Sequence, residues 1–430
     1  MAGDEVGDPA SPTSFMGFDW ADHGLRFPID KSNKMCGGVT KMTKADFQPE
    51  ITFGGHYRVE PGKTGRKVSW YDEYIEGLVN QGIPLYRGNH IEDMRTLEVG
   101  WWEEKECGAA FLQLDGQWRL IDLRLTEIPP GGQTAPFKML MDEKVYCLSG
   151  TGLCTIWADG EAKKTFEWQP HSLFFIPPNY NYQLTNTRGD QPARLVHSNR
   201  MDIAASLIPS QEMFFNNPMV DKSILYGDQD IFSEAKVVNL KEGEGDGTAR
   251  RFLWTGNFFP DVAAWDKLES YQTRGAGGMT VGFASVFGGL GATRASMSVF
   301  PAQRYKKAHV HDAGAVIVIP AGEGYSVLWE PASEKRLVCP WHEGTLLVPP
   351  HMWYHQHFNL GKGPARYLKL NGHIPAFRTH TTIDYSEEEL WVRQRFEKEL
   401  ADRSMKTDMI EEAYTTFDYQ WPYGEDMSGD

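Results

Sequence analysis

The chain contains two related segments at a nearly constant separation, and this internal repeat limits the possible folds more than any other feature. Residues 143–199 and 315–373 carry the same landmark residues in the same order. The matched pairs, all at one separation, are Gly150 with Gly322, Gly152 with Gly324, Trp157 with Trp329, Pro177 with Pro349 and Pro192 with Pro364. Asn186 matches Asn359 after a one-residue insertion in the second segment. A register kept over this length predicts two copies of one domain.

Each copy is rich in short apolar stretches, among them VYCLSG, LFFIPP, VIVIPAG and TLLVPP. Gly, Pro and Asn bound these stretches, which is typical of β-strands joined by tight turns. Many short strands without helical periodicity predict an all-β fold, either a sandwich or a barrel. Helices are expected only outside the repeats, at residues 70–82 and from Ser386 onward, where Ser386 and Glu389 form a capping-box pattern.

This organisation predicts five segments. They are an N-terminal arm and helix (1–104), a first copy (105–215), a connector (216–280), a second copy (281–375) and a C-terminal helical extension (376–430).

The composition excludes some classes of partner. With 43 Lys and Arg against 58 Asp and Glu, the net charge is −15, which argues against nucleic-acid and anionic-membrane surfaces. The five cysteines include no CxxC pair, so we expect reduced thiols. The polar start does not resemble a signal peptide, and no apolar run approaches the ~20 residues that span a bilayer. We therefore expect a cytoplasmic protein.

Histidines cluster on two expected strands of the second copy. Side chains on one face of a strand recur at every second residue. In QRYKKAHVH, the residues expected to share a face are Gln303, Tyr305, Lys307, His309 and His311. In HMWYHQHFN, they are His351, Trp353, His355 and His357. A lone strand histidine is more often a hydrogen-bonded polar residue than a ligand, but several on two inward faces favour a metal site.

These segments resemble the two motifs of the cupin superfamily. The first motif, Gly, five residues, His-x-His, three or four residues, Glu, six residues, Gly, matches His309, His311 and Gly322, with Gln303 and Ala315 replacing the first Gly and the Glu. The second, Gly, five residues, Pro-x-Gly, two residues, His, three residues, Asn, matches Gly344, Pro350, His355 and Asn359, with Met352 replacing the inner Gly. The resemblance covers about half of the chain.

The resemblance implies a bicupin, in which two tandem double-stranded β-helix (jelly-roll) barrels carry helical extensions. It implies His309, His311 and His355 as metal ligands, while Ala315 offers no donor atom where a carboxylate is usual. His357 is a further candidate, as a fourth ligand, a base beside the ligands or a substrate contact, and we favour the last two. His351 lies at a turn, where inward and exposed positions are equally consistent with the pattern.

In the first copy the corresponding positions lack histidines. Phe137 and Met139 stand where His309 and His311 would, and either Tyr182 or Gln183 stands where His355 would. Only Glu143 remains, at the carboxylate position. We expect this copy to bind no metal and to serve packing or dimerisation through an apolar core.

The leading functional hypothesis is a dioxygenase, most consistent with Fe(II), that oxidises or ring-cleaves a small anionic substrate such as a hydroxylated aromatic acid. The chain resembles gentisate- and salicylate-type ring-cleaving dioxygenases in being a bicupin with one three-histidine site. Those enzymes place the working site in their first cupin, whereas here it lies in the second. The resemblance implies O2 as co-substrate and a homo-oligomer. His357 and Tyr305 are the candidate catalytic residues; the candidate substrate contacts are Gln303, Lys307, Trp353, Arg294 and Arg366.

Two alternatives stay open. The same centre with Mn, Zn or Ni is consistent with a non-redox lyase, decarboxylase or isomerase. A non-catalytic binding or storage bicupin is also consistent with the repeat, although such proteins usually lose the ligands of both copies.

Overall fold

The structure is a computed structural model of the whole chain. It describes residues 47–227, 232, 234–239, 252–270, 278–287, 294–310, 315–370, 381–382, 388–407 and 425–426. Among these residues, no helix is long and apolar enough to cross a membrane.

Strands dominate the described chain. The strands before and within the first copy are β1 (Glu50–Phe53), β2 (His56–Arg58), β3 (Leu85–Gly88), β4 (His90–Ile91), β5 (Gly100–Trp102), β6 (Cys107–Leu112), β7 (Asp122–Ile128), β8 (Glu143–Ser149), β9 (Gly152–Trp157), β10 (Lys164–Trp168), β11 (Leu173–Ile176), β12 (Asn181–Asn186) and β13 (Ala193–Asn199). The later strands are β14 (Lys236–Asn239), β15 (Phe252–Thr255), β16 (Phe258–Phe259), β17 (Lys267–Ser270), β18 (Met279–Ala284), β19 (Arg294–Phe300), β20 (Tyr305–Val310), β21 (Ile317–Ala321), β22 (Gly324–Trp329), β23 (Lys335–Trp341), β24 (Leu346–Leu347), β25 (Tyr354–Asn359), β26 (Ala365–Lys369), β27 (Thr381–Thr382) and β28 (Glu425–Asp426).

In the part of the chain that the structure describes, the helices are few and short. They are α1 (Trp70–Asn80), α2 (Met201–Leu207), α3 (Gln211–Phe215), α4 (Ser223–Tyr226) and α5 (Leu390–Asp402), with 3-10 turns at Glu103–Lys105 and Asp115–Gln117.

The two copies have matching topology. In the first, one sheet runs β16-β11-β8-β13-β7-β6-β3-β2 and a second runs β10-β9-β12. In the second, the corresponding sheets run β14-β15-β18-β19-β26-β21-β24-β4 and β1-β23-β22-β25-β20-β27. The pairs β6 and β18, β7 and β19, and β9 and β22 are offset along the chain by the same separation as Gly150 and Gly322. The expected all-β bicupin fold, with two jelly-roll barrels in tandem, is confirmed.

The main sheets of the two barrels pack against each other, and this explains why some strands are apolar throughout. Along β8, Val145 and Cys147 point into the first barrel, whereas Tyr146 and Leu148 enter a cluster shared with Val316 and other residues of the second copy. A strand buried on both faces reads as a continuous apolar run. By contrast, β9 alternates buried and half-buried residues because one face meets solvent.

A short strand that precedes each copy pairs with a sheet of the other copy. Strand β4, which precedes the first barrel, pairs antiparallel with β24 of the second, and β16, which precedes the second barrel, pairs with β11 of the first. Strand β1 adds a parallel edge to β23. The region expected to be a connector therefore builds strands β14 to β17 into the sheets, while its centre, 241–250, lies outside the described residues. The five segment boundaries stay predictions.

The first expected helix is confirmed, and the second begins later than expected. Helix α1 buries Tyr71, Ile75, Leu78 and Val79, and the Asp72 carboxylate accepts from the Ser69 amide at 3.0 Å. Helix α5 has Glu389 as its N-cap residue, so the predicted capping box, with Glu389 inside the first turn, is wrong. The Glu389 carboxylate instead accepts from the side chains of Arg336 and Trp391. Ser386 lies outside the described residues.

Helix α5 covers the outer face of the sheet that carries the histidine strands. Phe396 lies 5.1 Å from Phe358 and 6.1 Å from Tyr305, measured between ring centroids. Burying a side chain of this size contributes about 1.5–3 kcal/mol, so the helix stabilises this sheet from behind.

Candidate metal centre

Three histidines meet inside the second barrel. His309 on β20 and His355 on β25 are cross-strand partners, and His357 lies two residues further along β25, on the same face. One ring nitrogen of each histidine lies within 4.8 Å of those of the other two. All three side chains are buried. The antiparallel register of two long-range strands, and not local sequence spacing, brings them together.

Hydrogen bonds orient the three rings. The Nδ1 atom of His309 lies 2.8 Å from the carbonyl oxygen of Lys307, and that of His355 lies 3.0 Å from the carbonyl oxygen of Trp353. A carbonyl oxygen only accepts, so these two Nδ1 atoms carry the proton and Nε2 keeps its lone pair. The Nδ1 atom of His357 lies 2.7 Å from Ser326 Oγ, a hydroxyl oxygen that can donate or accept, and this contact orients the ring of His357. Metal-ligating histidines are commonly oriented by such bonds.

This donor set fits a divalent transition metal. Imidazole nitrogens suit Fe, Mn, Zn, Ni and Cu, and three of them leave coordination positions open. His357 belongs to the cluster, so our preference for a role outside the ligand set is not supported by its position. His311 lies outside the described residues, and its role as a ligand stays a prediction. Ala315 is buried and contributes no donor atom.

A β-bulge changes which residues of β20 share a face with the histidines. Tyr305 pairs with Phe358 and Lys306 with His357, and the register then shifts before His309. Tyr305 therefore stacks on Phe358 at 5.1 Å on the outer face, and its predicted inward position is wrong. Lys306, which simple alternation had placed outside, shares the inner face instead. A bulge inserts an extra residue and breaks the two-residue period.

The other predicted substrate contacts divide between the two faces. Trp353 packs on the barrel interior with the buried cluster around Phe300, and Arg294 is buried on β19. Arg366 is on the opposite face, where it donates to the carbonyl oxygen of Trp265 at 2.5 Å. Its predicted place in the site is therefore wrong, since neighbouring strand residues point to opposite faces.

The positions of three further predicted residues, Gln303, Lys307 and His351, follow from the turns and the bulge around the histidine strands. Gln303 lies in the turn before β20 with a left-handed φ of 59°, so it is not on the strand face predicted for it. Lys307 is buried within the bulge, and its carbonyl oxygen accepts from His309. His351 is half-buried, with its ring centroid 4.1 Å from that of Trp118, which leaves it outside the histidine cluster. The functional roles assigned to these residues stay predictions.

Apolar side chains enclose the inner side of the cluster. The ring centroids of His357 and Tyr367 are 4.7 Å apart, and Tyr367 packs against Phe300 and Trp341. These side chains are buried, so this side of the cluster is shielded from solvent.

The equivalent place in the first barrel holds different side chains. Phe137 and Tyr182 form the bridge that corresponds to the His309–His355 pair, so Tyr182, and not Gln183, takes the place of His355. The expectation of an apolar interior is wrong, because Arg124 and Glu143 form a buried ion pair there with nitrogen and oxygen 3.2 Å apart. Sequence reasoning missed Arg124 because a single basic residue in a strand carries no positional signal.

Comparisons with known proteins identify no family. The sequence matches no protein-family model and no curated protein. Among solved structures, an oxalate decarboxylase of Lactobacillus farciminis in a formate complex is 12% identical with a TM-score of 0.43, over 77% of this chain and 96% of that one. A mutant of the Bacillus subtilis oxalate decarboxylase is 12% identical with a TM-score of 0.41, over 71% and 83%. Likenesses at these values carry no argument about activity or metal.

Proposed function

We propose that this chain is a metal-dependent enzyme, and that its second barrel uses His309, His355 and His357 to hold a divalent cation that binds a small anionic substrate. The observation that carries this proposal is the convergence of three buried imidazoles, each held at Nδ1 by an oxygen atom. Buried polar rings in a purely structural cluster have no need of this common orientation.

The charge of the centre favours an anion. Three neutral ligands leave the double positive charge of the cation uncompensated, and Ala315 stands where a carboxylate would have reduced it. Lys306 is buried on the inner face, as the cross-strand partner of His357. Both features stabilise a carboxylate or phenolate more than a neutral ligand.

The side chains around the centre have separate tasks. When bound, the cation supplies Lewis acidity, and with Fe(II) it also supplies redox chemistry. Ser326 fixes the ring of His357, and the backbone at Lys307 and Trp353 fixes the other two rings. Tyr367 and its apolar neighbours exclude water from the inner side, which strengthens electrostatic contacts within the site.

Two reaction classes fit this site. The three-histidine ligand set with Ala315 favours an Fe(II) dioxygenase acting on a hydroxylated aromatic acid, the class that the cupin resemblance implies. The uncompensated charge and Lys306 also favour a non-redox decarboxylase or lyase, with Mn as the first metal to test, acting on a dicarboxylate. Oxalate, the smallest dicarboxylate, is the first such substrate to test.

The test uses the full chain purified without chelator. We expect close to one divalent ion per chain, lost in His355→Ala and retained in the matched control His351→Ala, whose ring lies against Trp118. Absence of bound metal after reconstitution with Fe(II), Mn(II) or Zn(II) would refute the proposal. Reconstituted samples are then given oxalate or hydroxylated aromatic acids. Oxygen uptake with product formation identifies the dioxygenase, and CO2 release without net oxygen uptake identifies the decarboxylase.

A further inference from the structure

The first barrel keeps the layout of the metal centre but fills it with other side chains. Strands β7 and β19 correspond through the sequence repeat, so Arg124 occupies the position of Ser296. Phe137 and Tyr182 correspond to the histidine pair 309 and 355. Glu143 corresponds to Ala315, and it is fully buried.

The guanidinium of Arg124 lies among these substituted positions. Its Nη2 atom is 3.2 and 3.3 Å from the two carboxylate oxygens of Glu143 and 3.0 Å from the hydroxyl oxygen of Tyr182. Its central carbon is 4.5 Å from the ring centroid of Phe137. One cationic group therefore contacts the counterparts of two histidines and of the carboxylate.

Four side chains hydrogen-bond to the carboxylate of Glu143. Besides Arg124, it accepts from the Tyr182 hydroxyl, from His197 Nδ1 at 3.1 Å and from Asn199 Nδ2 at 3.0 Å. Burial alone would raise the pKa of Glu143, but the charge of Arg124 and the bonds from His197 and Tyr182 hold it well below its usual range. Burial opposes the charge on Arg124 as well, and the carboxylate of Glu143 raises the pKa of Arg124. The pair is therefore ionised at neutral pH.

We infer that the Arg124 guanidinium is a built-in cation that takes the place of a metal ion in the first barrel. It neutralises the remaining carboxylate, occupies the point where the ligand positions converge, and repels any incoming divalent cation. Loss of the histidines and gain of Arg124 then act together to exclude metal from this copy. The corollary of one metal per chain rests on the function proposed for the second barrel.

The experiment rebuilds the ligands of the first barrel in the full chain carrying His355→Ala, with Co(II) as the probe. One variant adds Phe137→His, Tyr182→His and Leu184→His, at the counterparts of His309, His355 and His357, and keeps Arg124. Its partner adds Arg124→Ser, the residue of the second copy, to the same three changes. We expect the partner to bind one Co(II) and the variant that keeps Arg124 to bind at least about 100-fold more weakly, because a fixed positive charge lies at the metal position.

Equal Co(II) affinity in the two variants would overturn the inference, as would failure of the folded Arg124→Ser variant to bind. If the second barrel of the unaltered chain binds no metal, the proposed function is refuted instead. The comparison of the two rebuilt variants still tests the inference, because both carry His355→Ala and it measures only the first barrel. Circular dichroism establishes which variants fold.

If the rebuilt barrel does not fold, a second measurement tests whether Arg124 neutralises Glu143. Arg124→Met and Glu143→Gln are made singly and together in the otherwise unaltered chain. Each single change leaves a buried charge without its partner, and we expect it to destabilise the folded chain, raising the unfolding equilibrium constant by on the order of 100-fold. The double variant should recover most of this loss, since no unpaired charge remains. Additive losses would contradict the inference.

Discussion

Lys144 gives the sharpest test of how charge is buried between the two barrels. It lies on β8 with 2% of its surface exposed, and its cross-strand partners are Phe175 and Ser198. Burial lowers the pKa of Lys144 from 10.5 to about 8, against the opposing attraction of Asp142. Each pKa unit corresponds to about 1.36 kcal/mol, so the buried ammonium destabilises the fold by about 3 kcal/mol at neutral pH.

Lys144→Met keeps most of the apolar stem and removes this charge. Below pH 8 both the folded and the unfolded chain hold the proton on Lys144, and the folded chain bears the full desolvation cost. Between about 8 and 10.5 the folded chain has released the proton while the unfolded chain still holds it, so stability rises with pH in this window. We therefore expect the variant to be more stable by up to about 3 kcal/mol at pH 7, with the difference vanishing near pH 10.5.

Urea unfolding at pH 7, 8.5 and 10 measures this difference, with Lys335→Met as the matched control. The side chain of Lys335 is 67% exposed, so its replacement should leave the unfolding midpoint nearly unchanged. A stability difference for Lys144→Met that is independent of pH, or a loss of stability at pH 7, would refute the reasoning.

Three further predictions concern the second barrel. Ser326→Ala removes the bond that orients His357, and metal titration should show an affinity about 10–100-fold weaker in a fully folded protein. Tyr305→Phe should leave metal content and turnover within about twofold of the unaltered chain, because the ring packs on the outer face; a large loss of turnover would restore the catalytic role first assigned to Tyr305. Burial and then the charge of Glu389 raise the pKa of Glu388 to about 8. The stabilisation that comes from the raised pKa of Glu388 is therefore fully present below about pH 4 and is lost as pH rises through 8. The urea midpoint of the unaltered chain should be lower at pH 9 than at pH 5, whereas the midpoint of Glu388→Gln should be the same at both.

The sequence predicted those parts of the site that follow from comparing corresponding positions of its two copies. The constant separation of the two copies identified the corresponding strands, and it paired Phe137 with His309 from the sequence alone. The choice between Tyr182 and Gln183 stayed open because the second copy carries a one-residue insertion in this stretch, and only the strand register decided it. Repeats survive in sequence because both copies must bury equivalent positions.

The faces of β20 could not be predicted, because a bulge leaves no local signature in the sequence. Alternation is reliable only while each residue opposes one partner, and the shift between Lys306 and His309 breaks that condition. For the same reason, alternation placed Tyr305 on the wrong face and did not identify Lys306 as a residue of the inner face. The later start of α5 has a related cause, since the tertiary contact of Glu389 with Arg336 overrides the local capping pattern.

By itself, the sequence determined the two-copy all-β architecture, the absence of histidines from the first copy's ligand positions and the presence of a histidine cluster in the second. These features follow from periodicity and spacing, which every segment carries within itself. Only the tertiary structure decided that His357 joins His309 and His355, that Arg124 meets Glu143, and that strands β4 and β16 pair with β24 of the second copy and β11 of the first. Each of these depends on pairing between residues far apart in the chain, where register and packing set the contacts and local propensity carries no information.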